Sequence, residues 1–274
     1  MKNNWWRIIV FFLLFLLATA VWSIPLFLFY GEKILNPHLA EEDYLYSFFS
    51  QMAAACGAIT TAYIMIVRIE SKTFDKYSLT FKINDLAKGF SWGILIMTLF
   101  AITAFVTGIV VFHVQHISFL LFANIMLYFF VAIAEEVFFR GYMLSSLRER
   151  MGSIAPIVTS SLLFGAVHFF NDYISWIGLI NISISGCLMA LLTVKTKSIS
   201  AAVGLHWAWN FFQGPIFGFA VSGNQEVGLV QPVGLVSEIF TGGKFGAEGS
   251  IALAFISVLI LFIFYKRYNK YEYE

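Results

Sequence analysis

The sequence predicts an all-α polytopic membrane protein with about eight transmembrane helices. Of its 274 residues, 59% are hydrophobic and only 12% are charged, and the mean hydropathy is +0.81. Soluble domains carry roughly 25% charged residues. The apolar residues form runs of about 20, long enough for a helix to cross roughly 30 Å of hydrocarbon. Because the runs do not alternate as barrel strands do, helices are the structure that satisfies their backbone groups in lipid.

The runs give eight predicted spans in chain order. They are 8–30, 44–67, 89–112, 117–144, 153–170, 173–194, 199–220 and 251–265. The first resembles a signal peptide, since Lys2 and Arg7 precede it and Ala18-Thr19-Ala20 could be a cleavage site. The run continues ten residues further, however, so we expect an uncleaved helix.

The spans divide the chain into three parts. Residues 1–116 hold the first three helices, 117–220 hold four helices that carry most of the buried polar residues, and 221–274 hold an external loop and the last helix. The loop 221–249 contains seven glycines. A connection of that length is either functional or merely mobile.

The distribution of Lys and Arg predicts the orientation. With the N-terminus in the cytoplasm, eight spans place fifteen of the seventeen basic residues on that side and leave Lys33 and Lys244 on the other. Cytoplasmic loops carry an excess of Lys and Arg. We therefore expect a multi-pass protein of the cell membrane with both termini in the cytoplasm.

Charge and cysteine content exclude several classes of function. The formal net charge is +1, so the sequence gives no support to nucleic acid as a partner. Cys56 and Cys187 both lie in apolar runs and are interpreted as small buried side chains, not as a disulfide or a metal site. The partners that we expect are the lipid bilayer and a peptide substrate.

Polar residues at membrane depth are concentrated in three of the predicted spans. A charge at the centre of a bilayer costs a few kcal/mol and needs a partner or a function. The residues are Glu135, Glu136 and Arg140 in the fourth span, His168 in the fifth, and His206 and Asn210 in the seventh.

Helix geometry predicts how these side chains are arranged. Residues four apart share a face, whereas neighbours diverge by about 100°. Arg140 should therefore neutralise Glu136, while Glu135 points elsewhere. Phe164 and His168 share a face, as do His206 and Asn210.

The relative depth of these residues follows from a predicted hairpin that turns at Met151 and Gly152, with Ser153 capping the next helix. Glu135 and His168 then both lie about 24–26 Å from the turn. We expect them to share a cavity with His206 that is open to the side of the turn, the cytoplasm.

Other polar and aromatic residues have ordinary structural interpretations. His38, His113 and His116 fall in external loops and are expected on the solvated surface, and Asn124 is expected to bond a neighbouring helix. Trp207 and Trp209, like many of the aromatic residues, are expected to pack or to face lipid.

The clustered residues are suited to hydrolysis. A carboxylate and an imidazole can deprotonate a water, and an imidazole with an amide can donate hydrogen bonds to an oxyanion. The set could therefore cleave a peptide bond without a serine or cysteine nucleophile. The alternative is that these residues only join helices.

The motifs Glu135-Glu136-x-x-x-Arg140, Phe164-x-x-x-His168 and His206-x-x-x-Asn210 resemble the CAAX protease and bacteriocin-processing family of intramembrane proteases. The resemblance covers roughly 117–212. It implies that Glu135 activates water with His168, that His206 and Asn210 stabilise the oxyanion, and that Glu136, Arg140 and Phe164 support them.

The same resemblance leaves the cofactor and the substrate open. Glu135, His168 and His206 could ligate zinc with an open fourth position, although the metal-free account is favoured. Relatives act on prenylated CAAX peptides or in bacteriocin self-immunity and peptide maturation. The composition favours the bacterial roles.

Two other functions remain as alternatives. One is a non-catalytic immunity protein that binds a bacteriocin or its receptor. The other is a proton-coupled carrier. Many carriers are built from two repeated halves, and the sequence shows no such pair, which argues against this function.

Overall fold

The computed structural model describes residues 6–36, 38–39, 43–116, 119–234 and 237–272, with side chains described as far as Lys266. It confirms the all-α membrane class. The helices are α1 (Trp6–Trp22), α2 (Ile24–Tyr30), α3 (Tyr44–Ala62), α4 (Ile83–Val106), α5 (Phe119–Glu136), α6 (Leu144–Met151), α7 (Ile154–Val167), α8 (Trp176–Thr196), α9 (Ser200–Phe211), α10 (Glu238–Thr241) and α11 (Ile251–Glu272). The predicted start of the central part at Ile117 lies outside the described residues.

Several of these helices are extended by segments of wider or tighter winding. π-Helical turns follow α3, α5 and α9 at Tyr63–Ile69, Val137–Met143 and Phe212–Ile216. A 3-10 turn, His168–Phe170, follows α7. π-Helical turns are often found at functional sites, and two of these come directly after the motifs at Glu135 and Asn210.

Four continuous helices among the described residues are long and apolar enough to cross a membrane: Tyr44–Ile69, Ile83–Val106, Phe119–Met151 and Trp176–Thr196. The pair Trp6–Trp22 and Ile24–Leu35 makes a fifth if its 45° bend is counted within one span. The other predicted spans correspond to shorter helices. The count of eight therefore stays a prediction.

The basic loops lie together at one end of the molecule, which we call the basic end. Lys72 bonds Glu149 at 2.6 Å, which joins the loop after α3 to α6. Lys82 donates to the carbonyl of Thr196 at 2.7 Å, which joins the start of α4 to the end of α8. This grouping of loops on one side is the one that the distribution of Lys and Arg predicted.

Close packing of α4 against α9 positions the motif at His206. A Cβ built on Gly89 would lie 1.9 Å from the carbonyl oxygen of Ala201, and one on Gly204 would lie 2.1 Å from that of Leu86. Small residues allow such close approach of helix backbones in membranes. The two glycines thus fix the depth of α9 relative to α4.

A two-stranded sheet corrects the predicted third span. The span was expected to continue to Phe112, but α4 ends at Val106 and Gly108 adopts a φ of +71°. The chain then forms β1 (Val111–Val114), which pairs antiparallel with β2 (Val230–Val233). The sheet ties the loop after α9 to the end of the molecule opposite the basic end.

The hairpin between α6 and α7 turns where the sequence predicts it, with Gly152 at a φ of +75° after Met151. Ser153 precedes α7, but its side chain makes no capping hydrogen bond. The prediction of a serine cap was therefore wrong.

Candidate active site

The three motifs meet at one cavity of about 1000 Å³. One face of α5 lines it at helical spacing, through Leu120, Asn124, Tyr128, Val131 and Glu135. The remaining walls come from the start of α3, the end of α7, the middle of α9 and the loop 221–229. Leu120 and Glu135 are 15 residues apart on α5, so at 1.5 Å per residue the cavity follows this helix for about 22 Å.

Glu135 lies at the floor of the cavity. The π-helical segment that follows it, Val137–Met143, is buried throughout and closes the cavity below. The side chain of Glu135 is 31% exposed, and its Oε2 has no hydrogen-bond partner among the described residues. Oε2 is itself buried, so the exposed remainder of the side chain is the part that reaches the cavity.

Glu136 points away from the cavity, as predicted, and pairs with Arg140. Arg140 Nη1 donates to Glu136 Oε1 at 3.1 Å, and both side chains are 0% exposed. Arg140 Nη2 donates to the carbonyl of Gly186 at 3.3 Å, which anchors the guanidinium to α8. A buried pair of this kind holds its geometry because separation would leave an uncompensated charge.

His206 links the buried pair to the cavity. Its Nδ1 lies 3.0 Å from Glu136 Oε1, and its Nε2 lies 3.8 Å from Glu135 Oε2. With Nδ1 donating to the buried carboxylate, the imidazole is held in one orientation. The second nitrogen then faces the floor of the cavity.

Phe164 packs between the two histidines. Its ring centroid lies 4.9 Å from that of His168 and 6.0 Å from that of His206, both in edge-on geometry. The guanidinium of Arg140 stacks 4.1 Å from the same ring. Phe164 therefore sets the spacing of the two imidazoles.

His168 lines the cavity from the 3-10 turn after α7. Its Nδ1 lies 2.7 Å from the carbonyl oxygen of Phe164, so this nitrogen donates and Nε2 is left as an acceptor. Asn210 lines the cavity one turn beyond His206 and is 6% exposed. The structure thus brings Glu135, His168, His206 and Asn210 to one cavity.

The zinc site that the sequence left as an alternative does not fit this arrangement. Among the described residues, no three His, Cys, Asp or Glu side chains converge closely enough to hold a metal ion. Glu135 and His206 approach each other, but His168 does not complete the set. We therefore derive no catalytic step through a metal.

Two glutamates of the loop 221–249 have defined partners that the sequence did not indicate: Glu248 is buried and Glu226 is half-buried. Tyr128 donates to Glu226, and Gln213 Nε2 donates to Glu248 at 2.5 Å. Ser222 also donates to Glu248 through its backbone N–H at 3.1 Å. Both belong to the loop that the sequence predicts to be external. Burial raises the pKa of each carboxyl above its usual value.

Residues with predicted structural roles divide into two groups. Trp207 donates to the carbonyl of Ile125 at 2.8 Å and Trp209 is buried, so both pack within the protein. His38 and His116 are exposed, as expected, but both line the rim of the cavity. Asn124 faces the cavity, and no hydrogen bond joins it to a neighbouring helix among the described residues.

The mouth of the cavity lies at the end opposite the basic end. Exposed residues surround it, among them Leu120, Tyr173 and Val227. The cavity-lining parts of α3, α5, α7 and α9 are all those farther from the Met151–Gly152 turn. The expectation of access from the side of the turn was therefore wrong.

A comparison of the chain with curated proteins finds no match. Residues 117–212 match a family model described as type II CAAX prenyl endopeptidase Rce1-like. The matched range contains Glu135, His168, His206 and Asn210, and it ends one residue into the π-helical turn after α9. Over 117–212 the chain is therefore similar to the Rce1-like family of CAAX-type membrane proteases, in agreement with the resemblance of its motifs.

Proposed function

We propose that the protein is an intramembrane endopeptidase that hydrolyses a peptide bond with a water activated by Glu135. The observation that carries the proposal is the partly exposed side chain of this glutamate, which lines the cavity floor beside the second nitrogen of His206. A carboxylate in a partly dry site is a suitable general base for water.

The steps of the reaction follow from the donors and acceptors at the floor. Glu135 takes a proton as the water oxygen bonds to the carbonyl carbon. In its doubly protonated form His206 donates to Glu136 from Nδ1 and to the developing oxyanion from Nε2, with Asn210 as a second donor. The C–N bond then breaks, and the proton passes to the leaving amine through Glu135 or His168.

Glu136 and Arg140 act as positioning residues in this scheme. They lie outside the cavity and cannot touch the peptide, but they hold the imidazole of His206 by a hydrogen bond and an ion pair. Buried support of this kind maintains catalytic geometry.

The direction of the mouth favours a secreted or extracytoplasmic peptide as substrate. If the basic end lies in the cytoplasm, the cavity opens on the outer side of the cell membrane. A prenylated cytosolic protein would then have no direct access. Bacteriocin self-immunity and maturation of secreted peptides are the roles that fit this direction.

Hydrolysis by the purified full-length protein in lipid nanodiscs tests the activity. A library of quenched fluorescent peptides is incubated in H₂¹⁸O, and the products are analysed by mass spectrometry. We expect one ¹⁸O atom in the new carboxyl group and loss of cleavage in Glu135→Gln. Glu238→Gln, an exposed acid outside the cavity, is the matched control.

Two outcomes would contradict the proposal: no cleavage of any library peptide by the wild-type protein, or full cleavage by Glu135→Gln. Cells that keep bacteriocin resistance when they carry Glu135→Gln would point to the binding protein that remains the alternative. Addition of a chelator separates metal-dependent from metal-free hydrolysis.

Labelling of cysteines in intact cells tests the orientation. In a background where Cys56 and Cys187 are replaced by serine, Val227→Cys at the mouth should react with an impermeant maleimide. Glu149→Cys at the basic end should react only after permeabilisation. The reverse pattern would place the mouth in the cytoplasm.

A further inference from the structure

The wall of the cavity carries more acidic side chains than cations, even with His206 doubly protonated. Glu135, Asp172 and Glu226 line it, whereas no Lys or Arg does so among the described residues. An unbalanced acidic cavity attracts cationic ligands and repels anionic ones. Charge alone does not define a binding position, which depends on the local geometry.

Glu226 is the acid with a defined place on the wall. The hydroxyl of Tyr128 donates to its Oε1, which fixes the carboxylate against α5. No Lys or Arg in the described part of the chain forms an ion pair with it. Its side chain also packs close to Gly214, where an added Cβ would lie 2.7 Å from Glu226 Cγ. The chain thus holds the carboxylate firmly at the cavity.

Asn124 gives a second and independent indication of a ligand. It lies one helical turn from Tyr128 on the same face of α5, lines the cavity and is only 9% exposed. Its carboxamide forms no hydrogen bond within the described residues. The carboxamide opens to the cavity, where a polar group of a ligand would pair with it.

The position of Glu226 relative to the cavity floor follows from the helix. Tyr128 and Glu135 are seven residues apart, two turns of α5, and therefore about 10 Å apart along its axis. An extended peptide advances about 3.3 Å per residue. The interval between Glu226 and the floor is thus about three residues of substrate.

We propose that Glu226, assisted by the amide oxygen of Asn124, binds a lysine or arginine side chain of the substrate about three residues from the scissile bond. The proposal rests on the protease function above and assigns its substrates to cationic peptides. A carboxylate that accepts from an ammonium or guanidinium gains a charge-assisted hydrogen bond, which is stronger than a neutral one.

Cleavage of a lysine-scanning series by the full-length protein in nanodiscs tests the position. The peptides are identical except that a single lysine moves from four residues before to four residues after the scissile bond. We expect kcat/KM to be roughly 10- to 100-fold higher when lysine is about three residues from the bond, on one side of it. Glu226→Gln should remove this preference, whereas Glu238→Gln should retain it.

A variant with changed specificity distinguishes removal of the binding site from loss of activity through misfolding. Glu226→Lys should cleave the peptide with glutamate at the preferred position better than the lysine peptide. A wild-type enzyme indifferent to the position of lysine, or a preference that survives Glu226→Gln, would overturn this inference and leave the protease function standing.

A measurement of peptide binding tests the cationic site independently of catalysis. A fluorescent lysine peptide should bind the Glu135→Gln variant, and affinity should fall roughly 10-fold or more when Glu226→Gln is added. If the wild type cleaves nothing but this dependence on Glu226 is seen, the cationic site stands and the protease function fails. Equal binding with and without Glu226→Gln would contradict the site.

Discussion

Two glutamates of the same helical bundle, Glu70 at the basic end and Glu135 at the cavity floor, differ in how far their charge is compensated. At the basic end, Glu70 accepts hydrogen bonds from Tyr77 and from Tyr142, the latter at 2.5 Å, and lies 3.2 Å from both Arg7 Nη1 and Lys72 Nζ. Its side chain is 1% exposed.

Glu135 is the contrasting case. It lies at the cavity floor with its buried Oε2 3.8 Å from His206 Nε2, and no Lys or Arg among the described residues forms an ion pair with it. Both oxygens of Glu70 are occupied, so its carboxylate has no capacity left for a substrate. The comparison suggests that one site serves stability and the other serves chemistry.

The largest expected effect is the loss of activity in Glu135→Gln. Removal of a general base costs about 10³- to 10⁴-fold in kcat, while the free energy of unfolding should change little because no partner is lost. Glu70→Gln should show the opposite pattern, with near-normal activity per folded molecule and a lower midpoint of unfolding in SDS. Equal loss of activity in both variants would contradict the distinction between a structural Glu70 and a catalytic Glu135.

The second effect concerns the buried pair beneath the cavity. Arg140→Met leaves the carboxylate of Glu136 buried without its cation, so we expect a loss of about 3–4 kcal/mol in the free energy of unfolding. The double variant Arg140→Met with Glu136→Gln should recover part of that loss. Measurement of both variants by SDS titration checks this, and the absence of recovery would show that packing of the arginine stem dominates.

The third effect is that of the predicted oxyanion donor. Asn210→Ala should lower kcat by about 10²-fold with a small change in KM, since the hydrogen bond forms mainly in the transition state. Asn124→Ala is the control on the same cavity and should alter KM more than kcat. A fall in both constants for Asn210→Ala would indicate a role in binding.

The floor of the candidate site could be predicted from the sequence because its determinants are local. Spacing of four residues in helices gave the pair of Glu136 with Arg140 and the separate direction of Glu135. The hairpin at Gly152 gave the common depth of Glu135 and His168. Both features follow from helix geometry within one span or two neighbouring spans.

The mouth of the cavity could not be predicted in the same way. Its position depends on contacts between distant segments, such as Tyr128 with Glu226, which are 98 residues apart. The strands β1 and β2 are four residues each and lie in sequence contexts that resemble a helix end and a loop. The direction of opening thus follows from tertiary packing, which periodicity does not encode.

The smallest expected effect tests the compensated site at the basic end. Burial alone would raise the pKa of Glu70, but hydrogen bonds from Tyr142, Tyr77 and Lys72 and the charge of Arg7 outweigh it and lower the pKa. A carboxyl with a lowered pKa stabilises the fold above its unfolded pKa, and that contribution is lost as the pH falls through the folded pKa.

Tyr77→Phe removes one donor and should cost about 1 kcal/mol at neutral pH. The difference from wild type should shrink as the pH falls through the lowered folded pKa of Glu70, since titration of the unfolded carboxyl is the same in both proteins and cancels. Unfolding midpoints of both proteins between pH 3 and pH 7 measure it; a constant difference across that range would mean that the hydroxyl acts through packing and not through the charge of Glu70.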